Sequence, residues 1–478
     1  MKKRIICNNC HVELNNLQRS HVCPQCSTND VEFDCSLDSE PFRIRNNEQG
    51  IWRFKDVLPV FETRFSLGEG NTPLRKTSNL FKGKVEIFLK IEGNNPTGSY
   101  LDRLSPLMIS DALGRKMNSM VCASDGNLGA SLSAYCASAG LKSVCIVPRS
   151  STPEKKVQME AYGAEIIDFG ETIDDSVELA KKMADQKRYQ ATPEFNLLTI
   201  EGSKIISYEL IEQLTSSNDW IDYLVIPMGS GRLLYSIWKG FKEAKKIGFL
   251  KKSIPKIIGV QVKGYDSITT AIQAGEDEPK LAKKESTSSR SLADAILTRK
   301  SIFGIKAIQS ITDSNGTSIS VSEKQILQGS KNLGQAEGVF AELSSATVIA
   351  GIDQLLVDGY FNKDDKVFAL ITSSGLKTSQ AFQKNTAREK KVESFRSMGT
   401  KVEILEIIQS SEANFGYGIW KALGQSLTLQ AVYQHLKELQ NGQHIQEIIS
   451  SDRQKRYDLT EKGKKLIQKM KELEELLP

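Results

Sequence analysis

The chain has 478 residues, of which 39% are hydrophobic and 25% charged, and a formal net charge of +5. These values are typical of an ordinary globular protein with more than one folding unit, and they exclude a disordered chain. A charge this small does not by itself indicate a nucleic-acid or membrane partner. No apolar run approaches the roughly 20 residues that cross a bilayer. Met1–Arg4 is not followed by the apolar stretch of a signal peptide, so we expect a cytoplasmic protein.

Four of the eight cysteines lie within the first 26 residues. They form two pairs, each with a two-residue spacing: Cys7, Cys10, Cys23 and Cys26. Each pair can place two thiolates on one tight turn, so the two pairs together can complete a tetrahedron around zinc. His11 and His21 flank the pairs, but four sulfurs already fill the coordination shell. The spacing predicts a structural zinc ribbon over residues 1–45.

From about residue 60, short β-rich apolar runs alternate with helical patterns, which is typical of a largely parallel sheet covered by helices. The predicted strands are Val85–Lys90, Met120–Ala123, Ser143–Val147, Glu165–Phe169, Tyr223–Pro227, Ile257–Val262 and Val367–Thr372. In such sheets, ligands bind where loops leave the carboxyl ends of strands. Two glycine-bearing loops, Ser124–Gly129 and Pro227–Gly231, follow strands and open helices, so either can bind an anion or be a plain structural turn.

Together with Asn94–Arg103, these loops resemble the threonine synthases and their relatives among the fold-type-II pyridoxal-phosphate enzymes. The resemblance begins at Glu69–Leu74 and ends at Thr372–Lys377. It implies an α/β body of two lobes with largely parallel sheets over residues 46–385. It also implies cofactor contacts from Asn127 to the pyridine hydroxyl, from the glycine loop to the phosphate and from Thr372 to the pyridine nitrogen. The loop residues that would hold the phosphate are Gly229, Ser230 and Gly231.

Leu101 departs from the family pattern. The resemblance implies a lysine two residues after the serine of the Pro-Thr-Gly-Ser motif, where it forms the Schiff base with the cofactor, and that position is Leu101 here. An aliphatic side chain can neither form this bond nor move protons between substrate carbons. Lys90 and Lys377 are alternative amines, although the family has lysines there as well. Arg232 follows Gly231 where the family prefers a small residue, and it either pairs a phosphate or fills the phosphate site.

The sequence of the carboxyl-terminal region indicates a separate module, which follows a charged linker at residues 386–400. Three amphipathic helices, a hairpin at Asn441-Gly442 and a closing helix from Thr460 indicate a winged helix-turn-helix over residues 401–478. Phe415–Leu423 and Tyr457–Lys464 resemble the PadR-like transcriptional regulators. The resemblance implies that the third helix and the wing contact DNA through Gln430, Gln434, Lys437, Arg453, Lys455 and Arg456. Winged helices also bind proteins, so that alternative stays open.

Two functional interpretations follow. In the first, which Leu101 favours, the body is a catalytically silent, threonine synthase-like sensor of a small anionic metabolite or cofactor and controls a DNA-binding module that regulates transcription. Pyridoxal phosphate would then be held without a covalent bond, and no residue would be catalytic. In the second, the protein is an active threonine synthase that converts O-phosphohomoserine to threonine and phosphate. The apolar face of the closing helix, formed by Leu466, Met470, Leu473 and Leu476, indicates a dimerisation surface, so we expect a homodimer. We expect no membrane partner.

Overall fold

The computed structural model describes residues 4–15, 20–28, 30–34, 42–184, 188–281, 291–379, 400–410, 414–424, 428–449 and 455–474. Chain contacts divide the molecule into two units, Met1–Ser379 and Gln380–Pro478. The predicted linker at residues 386–400 lies almost wholly outside the described residues, as do Arg453 and Leu476. Within the described part of the chain, no helix is long and apolar enough to cross a membrane.

The strands of the first unit form three sheets. Their bounds are β1 Arg4–Cys7, β2 Glu13–Leu14, β3 Val31–Asp34, β4 Leu74–Lys76, β5 Glu86–Ile91, β6 Ser119–Ala123, β7 Lys142–Val147, β8 Glu165–Asp168, β9 Arg188–Gln190, β10 Tyr223–Pro227, β11 Lys256–Val262, β12 Thr317–Val321 and β13 Lys366–Ile371. The small sheet β2-β1-β3 is antiparallel. The four strands of β8-β7-β6-β9 are all parallel. In the six-stranded sheet β12-β11-β10-β13-β5-β4, only the edge strand β4 runs antiparallel.

Helices cover the two larger sheets. They are α1 Ser105–Gly114, α2 Asn127–Ala139, α3 Pro153–Ala161, α4 Ile173–Met183, α5 Leu198–Ser216, α6 Arg232–Lys246, α7 Ser267–Ala274, α8 Gly304–Asp313, α9 Glu323–Glu337 and α10 Leu343–Val357. Helix α2 has small or apolar residues on every side and is buried over its first ten residues, because it lies between the sheet and other helices. This is the α/β body that the sequence predicts, with two larger sheets in which parallel strands dominate.

Four helices and a hairpin make up the described part of the second unit. They are α11 at residues 400–409, α12 Gly416–Ala422, α13 Leu429–Asn441, the strands β14 Ile445–Ile449 and β15 Lys455–Leu459, and α14 Glu461–Glu474. The unit has its own apolar core, in which Ile404, Ile419, Val432 and Leu436 are nearly inaccessible to solvent. Thr428 caps α13, its hydroxyl accepting a hydrogen bond from the amide of Ala431. Asn441-Gly442, predicted as the hairpin turn, instead ends this helix and precedes β14.

Candidate functional site

A cavity of about 160 Å³ lies in the body, next to the ends of β6, β10 and β13. The Ser124–Gly129 loop, the Pro227–Gly231 loop and Thr372 all border it, although they are far apart in the chain. Parallel strands bring their carboxyl ends to one edge of a sheet, so the loops that leave them meet there. The sequence-predicted cofactor residues are therefore brought together: Asn127, Gly229, Ser230, Gly231 and Thr372 all line this cavity.

The glycine loop ends at the amino terminus of α6. Gly231 has φ +89°, and a Cβ added there would lie 2.8 Å from the Cβ of Ala307, so both conformation and space require glycine. The loop is held from behind by the amide of Phe303, which donates to the carbonyl of Ser230 at 3.1 Å. The first amides of a helix lack intrahelical partners and carry partial positive charge. The loop and helix can thus receive an anionic group of a ligand.

Asn127 begins α2 and carries an unpaired polar atom. Its side chain is 4% exposed, and its Nδ2 donates to Glu342 Oε2 at 2.8 Å. Its Oδ1 is buried without a hydrogen-bond partner among the described residues. A buried, unsatisfied acceptor of this kind costs about 1–3 kcal/mol, which a ligand donor would recover. Asn127 is therefore suited to hold a hydroxyl group of a bound molecule.

Glu342 joins this wall to a buried lysine. Lys155 Nζ lies 2.8 Å from Glu342 Oε1 and 2.9 Å from Asp294 Oδ1, and the lysine is wholly buried. Against the opposing effect of burial, these two carboxylates raise the pKa of Lys155 above its ordinary value. Lys155 therefore stays protonated and paired with the two carboxylates. A protonated amine has no free electron pair, so it cannot attack an aldehyde.

Thr372 and Leu101 occupy another part of the wall. The Thr372 hydroxyl is 2.7 Å from that of Ser345, and the Thr372 carbonyl accepts a hydrogen bond from the amide of Tyr100 at 2.9 Å. Leu101, expected at the place of the family's lysine, is 8% exposed and lines the cavity. Among the described residues that line the cavity, none is a lysine.

The segment carrying Leu101 is fixed from behind by a buried ion cluster around Arg103. The guanidinium of Arg103 makes two hydrogen bonds of 2.7 Å to the Glu92 carboxylate and bonds of 2.9 and 3.1 Å to that of Glu209. Burial would raise the pKa of Glu209, but Arg103 and Lys90 hold that pKa well below its ordinary value. Lys90 also donates to Gln213 at 2.8 Å, so this alternative amine is committed to the cluster.

Lys377, the other alternative amine, lies in the turn after β13. It is 5% exposed and donates to Gln158 Oε1 at 2.8 Å, and its Cε lies 3.3 Å from where a Cβ on Gly98 would stand. Burial lowers the pKa of Lys377 to about 8, against the opposing charges of Asp102 and Glu342. Its amine is therefore partly neutral near physiological pH.

The four amino-terminal thiols converge. The sulfur atoms of Cys7, Cys10, Cys23 and Cys26 all lie within 4.8 Å of one another. A hydrogen bond from the Asn9 side chain is the largest influence that lowers the pKa of Cys26 to about 6. His21 lies apart from the thiols: its Nε2 is 3.3 Å from the carbonyl of Pro193, and its ring packs edge-on against Phe303. Four convergent sulfurs are a donor set suited to a tetrahedral metal.

In the second unit, Gln430, Gln434 and Lys437 are exposed on α13, at the spacing that places them on one face of a helix. Lys455 is exposed on the hairpin and lies 3.1 Å from Glu447, which offsets part of its charge. Arg456 is half-buried, and Arg453 lies outside the described residues.

The sequence resembles known proteins over most of the body. Residues 65–373 match the family model "Pyridoxal-phosphate dependent enzyme". The chain is 33% identical over 346 residues to the threonine synthase of Methanocaldococcus jannaschii, covering 71% of this chain and 83% of that one. It is 32% identical over 381 residues to the threonine synthase of Methanosarcina acetivorans, covering 78% and 92%.

Solved structures share the fold at lower identity. Maize serine racemase superposes with a TM-score of 0.54 at 18% identity, covering 68% of this chain and 94% of that one. Isoform 2 of threonine deaminase from Solanum lycopersicum superposes with a TM-score of 0.53 at 19% identity, covering 68% and 98%. These structures support the α/β architecture of the body.

The interpretation of the body as a silent sensor that regulates transcription is wrong. The relatives are threonine synthases matched over most of their length, which favours the enzyme that the sequence left as the alternative. The interpretation depended on the single side chain at position 101, whereas Asn127, the glycine loop and Thr372, which are predicted to contact the cofactor, meet around one cavity. The chain belongs to the family of pyridoxal-phosphate dependent enzymes, with threonine synthases among its relatives.

Proposed function

We propose that the body is a threonine synthase, which converts O-phosphohomoserine to threonine and phosphate with pyridoxal phosphate. The observation that carries this proposal is the meeting of the glycine loop, Asn127 and Thr372 around one cavity, in a chain whose relatives are threonine synthases. When bound, the cofactor supplies an electron sink for the carbanions that form on the amino acid.

The residues of the cavity suit the cofactor in all but its attachment. The amides of Gly229–Gly231 and of the first turn of α6 would hold its phosphate. The unpaired Oδ1 of Asn127 would accept from its ring hydroxyl, and the Thr372 hydroxyl, kept in place by Ser345, would face its ring nitrogen. Leu101 replaces the lysine of the family in this proposal, so the cofactor is held without a covalent bond to the chain.

The reaction also needs a group that holds and releases protons, and we assign this role to Nζ of Lys377. Its lowered pKa leaves part of the amine neutral near pH 8, while Lys155 and Lys90 are tied to carboxylates. General bases work best when their pKa is close to the working pH. Lys377 does not line the cavity: its side chain packs against Gly98 and its amine donates to Gln158. The amine would therefore have to leave Gln158 to reach a ligand in the cavity.

The activity has a direct test. The full-length protein, pyridoxal phosphate and O-phosphohomoserine are mixed, and threonine and inorganic phosphate are measured together. We expect the two products in equal amounts, at a rate that rises as the pH passes through about 8. Lys377→Met should lose this rise, while Lys363→Met, on the loop before β13, should keep it. Production no faster than with cofactor in protein-free buffer would disprove the enzyme.

The absent lysine has its own test. Leu101→Lys should allow borohydride to fix pyridoxal phosphate to the peptide that contains position 101, as identified by mass spectrometry. The unaltered protein should give no such adduct on any peptide that borders the cavity. An adduct on a native lysine there would show that the chain already has an attachment site.

For the amino terminus, we propose a structural zinc ribbon in which the four thiolates hold one zinc ion. Support comes from the convergence of the sulfurs within 4.8 Å and from the small sheet β2-β1-β3, whose strand β1 ends at Cys7. Elemental analysis should find one zinc per chain, and Cys23→Ser should lose it. Cys136→Ser, in helix α2, is the matched control and should retain the metal. Equal zinc in both variants would refute the site.

For residues 401–478, we propose a winged helix-turn-helix that contacts DNA. The exposed row of Gln430, Gln434 and Lys437 on α13 supports this proposal. Lys437→Ala should weaken binding of the full-length chain to mixed-sequence duplex DNA at low salt and reduce the salt dependence by about one counterion. Lys363→Ala is the control outside the module. If the unaltered chain binds no DNA at low salt, the module binds a protein partner instead.

A further inference from the structure

Arg232 is a cation in the cavity that forms no ion pair with a carboxylate among the described residues. It begins α6 directly after Gly231 and is one of the residues that line the cavity. Its Nη1 is buried without a hydrogen-bond partner among the described residues. Its Nη2 makes one long hydrogen bond of 3.4 Å to the hydroxyl of Tyr100.

Three acids share the cavity with Arg232, namely Asp125, Glu194 and Glu342, and none of them forms an ion pair with it. Glu342 is paired with Lys155 at 2.8 Å. Burial raises the pKa of Glu194, although the charge of Arg232 opposes this shift, so the uncharged form of this carboxyl is favoured. In the part of the chain that the structure describes, no carboxylate oxygen lies within the 4.0 Å of an ion pair with Arg232. A guanidinium with a buried, unpaired N–H group is costly unless a ligand completes its hydrogen bonds.

The position of Arg232 selects the ligand. Its side chain leaves the same helix end to which the glycine loop presents backbone amides, so two sources of positive charge converge. Arginine offers a planar fork of N–H groups that matches the oxygens of a phosphate. Leu101 also lines the cavity and contributes no charge, so Arg232 is the cationic side chain among the described residues that line it.

We propose that Arg232 binds the phosphate monoester of a ligand in this cavity and supplies the positive charge that Leu101 cannot. This inference rests on the proposed function for the choice of ligands, but binding alone can test it. Two molecules could bring the phosphate, the cofactor and the phosphorylated substrate, and both present the same dianion.

The test compares ligands with and without phosphate. Pyridoxine 5′-phosphate and pyridoxine form one pair, because neither has the aldehyde that would react with surface lysines; O-phosphohomoserine and homoserine form the other. Affinities of the full-length protein are measured by calorimetry. Arg232→Gln should weaken at least one phosphorylated ligand by about ten- to a hundredfold and leave its unphosphorylated partner unchanged. Arg232→Lys should fall between, since it keeps the charge and loses the fork.

Arg149→Gln is the matched control, because Arg149 is exposed at the surface and pairs with the exposed Glu171. The pair of ligands affected by Arg232→Gln identifies whether the cofactor or the substrate uses the contact. Unchanged or tighter binding of both phosphorylated ligands would overturn the proposal, because Arg232 would then merely fill the phosphate site. Equal weakening of phosphorylated and unphosphorylated ligands would also overturn it. If the unaltered protein makes no threonine but shows the predicted selective loss, the proposed activity fails and the Arg232 assignment stands.

Discussion

In the described part of the chain, buried polar groups have hydrogen-bond partners on one side of the Asn94–Arg103 segment, and some of them lack partners on the other. On one side, Arg103 gives its guanidinium donors to Glu92, Glu209 and Thr72, and every distance is 3.2 Å or less. On the other side, the cavity holds an acceptor of Asn127 and a donor of Arg232 that have no partner among the described residues. The first side is complete as it stands, whereas the second needs a ligand to satisfy it.

This difference separates stability from function. Paired buried charges hold the segment in place, and removing one partner leaves the others without compensation. Unpaired buried groups weaken the fold slightly and gain their partners when a ligand binds. Substitutions on the first side should therefore lower the free energy of unfolding, and those on the second should change ligand binding with little effect on folding.

The largest effect is expected for Arg103→Met. The buried carboxylates of Glu92 and Glu209 would lose their main cation, which should lower the free energy of unfolding by about 3–5 kcal/mol. Urea denaturation of the body, followed by circular dichroism, measures this loss. Arg149→Gln should change the free energy by less than about 0.5 kcal/mol. A loss of under about 1 kcal/mol for Arg103→Met would show that the ion cluster around Arg103 contributes no more to stability than an ordinary hydrogen bond.

A smaller and opposite effect is expected for Lys377→Met. Because burial lowers the pKa of Lys377 from 10.5 to about 8, the folded state binds this proton less tightly than the unfolded state. The resulting destabilisation is full below pH 8 and disappears as the pH rises towards 10.5. Removing the buried amine should thus raise the free energy of unfolding at pH 7 by up to about 3 kcal/mol. Loss of the hydrogen bond to Gln158 should take back about 1 kcal/mol of this gain.

Urea denaturation at pH 7 and pH 10 tests this sign. The advantage of the Lys377→Met variant should shrink at the higher pH. A constant difference between variant and unaltered protein would show that the amine of Lys377 is not the titrating group, and would remove the support for its role as a base.

The smallest effect on folding is expected for Asn127→Ala. The substitution removes one hydrogen bond to Glu342, but Glu342 remains paired with Lys155. It also removes an unsatisfied buried acceptor. The free energy of unfolding should therefore change by about 1 kcal/mol or less. Calorimetry should show about tenfold weaker binding of pyridoxine, whose ring hydroxyl would lose its acceptor. Unchanged pyridoxine affinity together with a large loss of stability would place Asn127 on the structural side of the comparison.

Much of the body could be predicted from periodicity. The seven predicted strands overlap β5, β6, β7, β8, β10, β11 and β13, with ends displaced by one residue at most. Strands β4 and β9 have only three residues each, and β12 is an edge strand with alternating hydroxyl residues, so none gives a continuous apolar run. The loops that border the cavity could be predicted as well, since they follow strands that show clearly in the sequence.

The pairing of the buried charges could not be predicted. Arg103 and Glu209 are 106 residues apart, and nothing local in the sequence indicates that they meet. Lys155 lies in a helix of charged residues and would be expected at the surface, yet it is wholly buried. The unpaired Nη1 of Arg232 likewise depends on which acids lie nearby in three dimensions, so the sequence left open whether Arg232 pairs a phosphate or fills its site.

Gly126 shows how far the effect of one missing side chain extends. A Cβ at this position would overlap the Cδ of Lys155 at 2.1 Å, so the lysine can pass beneath the loop only because residue 126 has no side chain. Lys155 in turn holds Glu342, and Glu342 holds Asn127. The absence of a methyl group thus sets the orientation of the neighbouring amide of Asn127 through a chain of three contacts, and a mutational survey of the loop would find Gly126 intolerant of alanine although it does not line the cavity.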